Sequence, residues 1–426
     1  MTASCLPRRG TSALQYATRR EHVACRGRAS SNRLRYRSTR EPADRAGVFV
    51  PLHSSTDSGI RKTRFETLPS DSKDSGWPQF FSDMNPTIEF TATFVTIANS
   101  RYFLGTVALV NSLQLTNQGC RILVVDSGLT ETQKAQLQQA CEVRPLPADR
   151  DETFAAFFKP AAHMLGLSGP IVLIDSDMIV TKSFAPLVSQ AVDGRICLFA
   201  DTSVMAGRRF PEWEQLLAPG KQLRFQPYLH AGCLVLDVDI WQGLLARWWE
   251  LCLRVRAERS PTPFDDDDPF GYVDQDLLNV LLMSEVPEDR ISVLDWELAA
   301  SPEFNRETRV LDRSDLSCVN GKRRTFLLHY AWNGPKPWFP GARARLGFDA
   351  YVDLMARLLT STDVPIRLET DAVPLWLRDT PTGRFVRRTP RHVRRAVRSV
   401  LSLLPDPIEQ KSREVGGAIA RRLRLG

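Results

Sequence analysis

Asp175-Ser176-Asp177 is the stretch of this chain whose residue types and spacing point most directly to chemistry. It follows Pro170-Ile171-Val172-Leu173-Ile174, an apolar run that reads as a strand buried on both faces of a parallel sheet. In extended chain, residues i and i+2 point to the same side. Asp175 and Asp177 can therefore converge at a strand's carboxyl end, where open α/β sheets bind their ligands. Two close carboxylates repel unless a cation lies between them. Hard oxygen donors suit Mg²⁺ or Mn²⁺, which keep coordination positions open for substrate phosphates. Asp and Ser are also common turn formers, so the same triplet fits a plain strand-to-turn junction.

The elements around it must place those carboxylates. Phe90 to Ala98 is rich in β-branched and aromatic residues and reads as a strand. Asn99-Ser100 closes it, and Phe103, Val107, Val110 and Leu113 follow at helical spacing. Arg121 to Val125 is a second strand, Thr130-Glu131-Thr132-Gln133 opens a helix, and Val143 to Leu146 is a third strand. Phe154 to Leu167 reads as a helix carrying Lys159. Ile196 to Ala200 and Tyr228 to Asp237 contain further strands, Trp241 to Ala257 is an amphipathic helix, and Tyr272 to Met283 starts another. Ile291 to Leu298 is strand-like, and Phe326 to Tyr330 is a last buried strand. Strand–helix alternation of this kind predicts an α/β fold, with a mostly parallel sheet and helices on both faces. Residues 205–228 have no clear period and read as a surface excursion, and Asp265 to Asp268 as a solvated acidic loop.

Basic charge sits at the ends of the chain. Residues 1–50 hold 11 Arg against 3 acids, and residues 378–426 hold 13 Lys and Arg against 4, within a net charge of +7. The segment between is acidic by about ten charges, which argues against a nucleic-acid-binding core. Residues 1–85 are expected to be a disordered Arg-rich segment, a transit-like segment or a stretch upstream of the true start. A folded domain is expected over 86–375, and a basic amphipathic tail over 376–426. Such a tail either lies on an anionic membrane surface or packs its apolar stripe on the domain. The eight Cys are scattered without a Cys-x-x-Cys pair, as expected of buried free thiols in a reducing compartment. No run approaches the length of a membrane span, so the expected location is cytoplasmic, peripheral on a membrane if the tail docks.

Five blocks, in order, resemble the glycosyltransferase family 8 group of GT-A enzymes, which includes glycogenin and bacterial lipopolysaccharide galactosyl- and glucosyltransferases. They span roughly Thr91 to Trp338. The resemblance implies a single GT-A-type, Rossmann-like domain. It implies base and ribose contacts from Thr96, Ile97, Asn99 and Tyr102, and a nucleotide-facing cation at Lys159. It makes Asp175-Ser176-Asp177 the donor and metal motif, with His329 as third metal ligand. It assigns sugar contacts to His230-Ala231-Gly232 and Asp274, although His230 stands where the family commonly has Asn. Gln275 matches the residue beneath the anomeric carbon, while Gly334 and Lys336 match a Gly and a diphosphate-binding Lys, one residue further from the His than usual.

The implied activity is Mn²⁺-dependent (or Mg²⁺-dependent) retaining transfer of a hexose, from UDP-glucose or UDP-galactose, to an acceptor hydroxyl on a glycan, lipid or protein. The alternative is a nucleotide-sugar-binding protein of the same fold that no longer transfers, docked on membrane by its tails. Nucleotidyl transfer ranks below both, because Ala98-Asn99-Ser100-Arg101 lacks a Gly-rich phosphate loop.

Overall fold

The structure is a computed structural model. It describes residues 92–388 apart from 148–154, 203–204, 206, 217–220, 259–264, 302–304, 306, 332–334 and 340–348. The chain divides into two compact units, Met1–Gln79 and Phe80–Gly426, and every described residue belongs to the second. The Arg-rich segment 1–85, Gly334 and the tail beyond residue 388 lie outside the described residues.

The described strands are β1 Thr93–Ala98, β2 Arg121–Asp126, β3 Glu142–Pro145, β4 Pro170–Ile174, β5 Met178–Val180, β6 Ile196–Ala200, β7 Leu229–Asp237, β8 Ile291–Leu294, β9 Ala299–Ala300, β10 Thr308–Val310, β11 Cys318–Asn320, β12 Arg323–Arg324 and β13 Leu327–His329. The helices are α1 Phe103–Thr116, α2 Glu131–Leu137, α3 Ala185–Val192, α4 Val238–Glu258, α5 Asp274–Ser284, α6 Ala350–Thr360 and α7 Pro381–Arg388.

The main sheet has seven strands in the order β3-β2-β1-β4-β7-β6-β8. All its neighbours pair in parallel except at β7, which runs antiparallel to β4 and β6. This is a mixed, mostly parallel sheet of Rossmann-like type. The carboxyl ends of β1, β4 and β6 and the amino end of β7 consequently share one edge.

Period-2 alternation divides the core between the two faces. Phe94, Ile122, Val124, Val172 and Ile174 pack with α1, α3 and α6. Val95, Leu123, Val125, Ile171 and Leu173 pack with Leu245 and Trp248 of α4 and Leu277 and Leu281 of α5. Strands covered on both sides read as continuous apolar runs for this reason.

A second, three-stranded sheet, β5-β13-β9, brings distant segments together. His329 on β13 pairs with Met178 on β5, and the Tyr330 amide donates to Asp177 O at 3.2 Å.

Three expectations need correction. The segment expected as a helix over 154–167 is a 3-10 stretch, Ala155–Met164, with Pro160 inside it. Proline lacks the N–H and disfavours helical backbone just before it, so a regular α-helix cannot form. The 205–228 excursion is not superficial, since Trp213 and Tyr228 are fully buried. Packed structure also runs past residue 375. Trp376 and Leu377 are buried, and Arg387 is buried beside Asp353 and Asp379.

Candidate active site

Asp175 follows β4 directly, and its amide donates to Gly232 O at 2.8 Å. The chain then turns, with the Met178 amide bonding Asp175 O at 3.2 Å, and enters β5. This turn is wedged against α1. A Cβ added to Gly105 would lie 2.6 Å from both Ser176 O and the Trp338 ring, so only glycine admits the approach.

The β5–β13 pairing carries His329 to the two aspartates. His329 Nε2 is 3.3 Å from Asp177 Oδ1 and 4.0 Å from Asp175 Oδ2. One ligand atom from each of Asp175, Asp177 and His329 lies within 4.8 Å of the others. Two carboxylates and an imidazole suit Mn²⁺ or Mg²⁺ as a donor set, and the three atoms are close enough to share one ion. Among the described residues, this is the one such cluster.

Two lysines converge on the same carboxylates. Lys336 Nζ lies 2.7 Å from Asp177 Oδ2 and donates to Tyr330 O at 2.6 Å. Lys159 Nζ lies 2.8 Å from Asp175 Oδ1 and 3.1 Å from Asp274 Oδ2, and donates to Ala231 O at 3.3 Å. In this conformation three acceptors engage the Lys159 ammonium, so it ties Asp175 to Asp274.

Electrostatics follow from that packing. Burial alone would raise the Asp177 carboxyl, but Lys336 and His329 outweigh it and hold the group well below the usual carboxylate range. Burial opposes the charge on Lys159, and Asp175 and Asp274 more than restore it. Burial pushes the Asp274 carboxyl up to about 6, against the pull of Lys159. His230 is pushed down to about 3, first by burial and then by the neighbouring His329.

The neutral His230 ring is locked in place. Its Nδ1 accepts the Gly232 amide at 2.8 Å, which assigns the proton to Nε2. It meets the His329 ring edge to face at 4.8 Å. A side chain at Gly232 would strike the His230 ring, with Cβ 2.3 Å from Cε1.

Helix α5 supplies the next layer. Val273 precedes it at φ 54°, a conformation strained for a β-branched residue by roughly 1–3 kcal/mol. Asp274, Gln275 and Asp276 are all buried in its first turn, where negative charge meets the positive end of the helix dipole. Asp276 points into structure. It accepts from Arg208 Nε at 2.7 Å and Nη2 at 3.0 Å, from Tyr228 Oη at 2.7 Å and from the Tyr272 amide at 2.8 Å. Arg208 also binds the carbonyls of Asp266 and Asp268, so the acidic loop is pinned through its backbone.

The amino-terminal block sits at the carboxyl end of β1. Asn99 Oδ1 caps the 3-10 turn Ser100–Tyr102, accepting from the amides of Arg101 and Tyr102. Thr96 is buried and Ile97 half-buried. The Tyr102 ring stands edge-on to Trp338 and Phe339, and its hydroxyl is raised by burial and affected by Lys336 and Asp177. A separate cleft of about 450 Å³, bordered by Arg101, Gln133, Gln136 and Phe339, includes none of the metal-type donors or Lys336.

Asp201 and Gly105 escaped the reading of the sequence. Asp201 ends β6 without a neighbouring acid to mark it, and Gly105 lies inside a regular apolar helix pattern.

No family model matches the chain, and no curated protein does. Among solved structures it is similar to the galactosyltransferase LgtC in complex with donor and acceptor sugar analogues: 20% identity, 64% of this chain and 98% of that one, TM-score 0.41. It is also similar to the bifunctional glycosyltransferase WbbM, at 18% identity over 64% of this chain and 51% of that one, TM-score 0.42. The glycosyltransferase GlyE of Streptococcus pneumoniae TIGR4 matches at 16% identity over 58% and 55%, TM-score 0.37.

Proposed function

We propose that the protein is a glycosyltransferase that moves a hexose from a nucleoside diphosphate sugar to an acceptor hydroxyl. The observation that carries this reading is the convergence of Asp175, Asp177 and His329 beside the Lys336 ammonium. Asp175, Asp177 and His329 would hold Mn²⁺ or Mg²⁺, which supplies Lewis-acid neutralisation of a diphosphate leaving group.

The chain's own residues complete the chemistry. Lys336 places a second positive charge in the same cleft, where a departing diphosphate develops negative charge. Asp274 and the Nε2–H of His230 offer an acceptor and a donor for sugar hydroxyls. Gln275 cannot ionise, so its amide steadies positive charge on the sugar but makes a poor covalent nucleophile. Retention of configuration is part of the proposal, and without a covalent nucleophile it would proceed by same-face attack rather than double displacement. Thr96, Ile97, Asn99 and Tyr102, at the carboxyl end of β1, are assigned to the base and ribose of a UDP-sugar, with UDP-glucose or UDP-galactose as donor. Lys159 supports Asp175 and Asp274 in that site. The acceptor is a glycan, lipid or protein.

Among the described residues no helix is long and apolar enough to cross a membrane. The Arg-rich sequence beyond residue 388 is proposed to dock on anionic lipid, each cation near the surface contributing about 1 kcal/mol.

A thermal-shift screen of nucleotide sugars with Mn²⁺ or EDTA, followed by turnover of the hits, tests the reading. Asp177→Ala is expected to abolish metal-dependent donor turnover. Full turnover by that variant would refute the metal assignment.

A further inference from the structure

We infer that Asp201 is a positioning residue that sets the orientation of the Gln275 amide in the sugar-transfer site. The inference deepens the transferase reading and rests on it.

The strand β6 delivers Asp201 to this position. Its pairing with β7 slips between Leu198 and Phe199, so that Phe199 stands opposite His230 and Ala200 opposite Leu229. Irregularities of this kind re-aim the chain next to binding sites. The Asp201 amide then donates to Tyr228 O at 2.9 Å, which anchors the residue beside the amino end of β7.

From there the carboxylate meets Gln275. Gln275 Nε2 donates to Asp201 Oδ2 at 2.7 Å, and Gln275 Oε1 accepts the Ala231 amide at 3.0 Å. A Gln side chain has nearly the same shape when its oxygen and nitrogen exchange places, so only its partners choose between the two orientations. Ala231 N–H can only donate, and a carboxylate can only accept. Together they permit one orientation, with the oxygen toward Ala231 and the NH₂ toward Asp201.

The acid cannot be replaced by its amide. The other carboxylate oxygen, Asp201 Oδ1, accepts the Thr202 amide at 2.6 Å. Both oxygens of Asp201 therefore face donors. An Asn at this position offers one oxygen and one NH₂, so either Thr202 N–H or Gln275 NH₂ must face another donor. Gln275 then loses one of the two partners that fix it and keeps only the Ala231 amide, while the neighbouring sugar-binding groups Asp274 and His230 keep theirs.

The test is a kinetic cycle on the full chain with Mn²⁺ and a nucleotide sugar that the wild type turns over, using D201N, Q275A and the double variant. D201N is expected to lower kcat roughly 10- to 100-fold with donor KM little changed, as misplacement of a reaction-site group does. In the Q275A background the same substitution should cost nothing further, because Asp201 acts through the missing amide. Wild-type kcat in D201N, or losses that multiply in the double variant, would overturn the inference. If D201N gives no cooperative melt, D201A replaces it in the same cycle and is judged by the same outcomes. A wild type that turns over no nucleotide sugar sinks the transferase reading and this inference together. Wild-type turnover that survives D201N sinks the inference alone.

Discussion

On the proposed function, Lys336 and a metal ion would compete for the same carboxylate, and this makes Lys336→Met a searching perturbation. The ammonium is 2.7 Å from Asp177 Oδ2 and nearly buried. At an effective dielectric of 20, two unit charges at that separation attract by about 6 kcal/mol. Desolvation of the pair cancels most of this, leaving about 1–2 kcal/mol that an arriving dication must displace. Without nucleotide, Lys336→Met should therefore bind Mn²⁺ roughly 5- to 30-fold more tightly than wild type. The metal-free variant should also be less stable by about 3–5 kcal/mol, because Asp177 is left buried beside a neutral partner. Saturating Mn²⁺ should restore about 1–2 kcal/mol of that loss, the same difference that the affinities show. Calorimetric titration of the nucleotide-free protein and denaturant melts with and without Mn²⁺ read these quantities. Donor turnover should fall at the same time, since the leaving diphosphate loses a cation. Equal or weaker Mn²⁺ affinity in the variant would show that the ammonium and the metal do not share Asp177, and the electrostatic account of the site would fail.

Gly105→Ala places a methyl 2.6 Å from Ser176 O and from the Trp338 ring; it should cost about 1–3 kcal/mol in a thermal melt and depress donor turnover, whereas unchanged melting would mean the turn yields freely. His230, neutral when folded and held down to about 3, stabilises the metal-free protein above its unfolded pKa near 6.5, and that contribution is lost as pH falls below it. The loss should be about 2 kcal/mol between pH 7 and pH 5, and denaturant melts of His230→Gln should show a flatter dependence over that range; parallel curves would refute it. Deleting residues 389–426 leaves the packed α7 intact and should reduce co-sedimentation with anionic but not neutral liposomes; equal sedimentation would reject membrane docking by the tail.

What the sequence disclosed and what it concealed differ in kind. The strands of the main sheet are runs such as Ile171–Ile174, buried on both faces, and such runs are legible from composition alone. The α2 start was legible because Thr130 and Gln133 form a reciprocal cap using only local groups. Asp175 and Asp177 were legible from their short spacing, although a turn after β4, rather than the extended strand expected, brings them together. The stretch around Lys159 was misread because an apolar pattern outweighed Pro160 in its interior. Gly105, Asp201 and the Arg208–Asp276 anchor depend on partners at least 68 residues away in sequence, so no local pattern marks them. His329 lies some 150 residues from Asp177, and the β5–β13 pairing is what makes them neighbours.

The sign of the cleft follows from these contacts. Four carboxylates, of Asp175, Asp177, Asp201 and Asp274, stand against two ammonium groups, of Lys159 and Lys336. His230 is neutral, and Asp276 is matched within the fold by Arg208. The cleft thus carries about two uncompensated negative charges when all four acids are ionised. A lone diphosphate would be repelled by such a surface, and a dication attracted. One divalent ion brings the balance to zero and leaves Lys336 able to turn from Asp177 toward an incoming anion. Metal before nucleotide is the order this charge distribution favours, and nucleotide binding should accordingly weaken by well over tenfold when the metal is removed with EDTA, since each factor of ten is only about 1.4 kcal/mol.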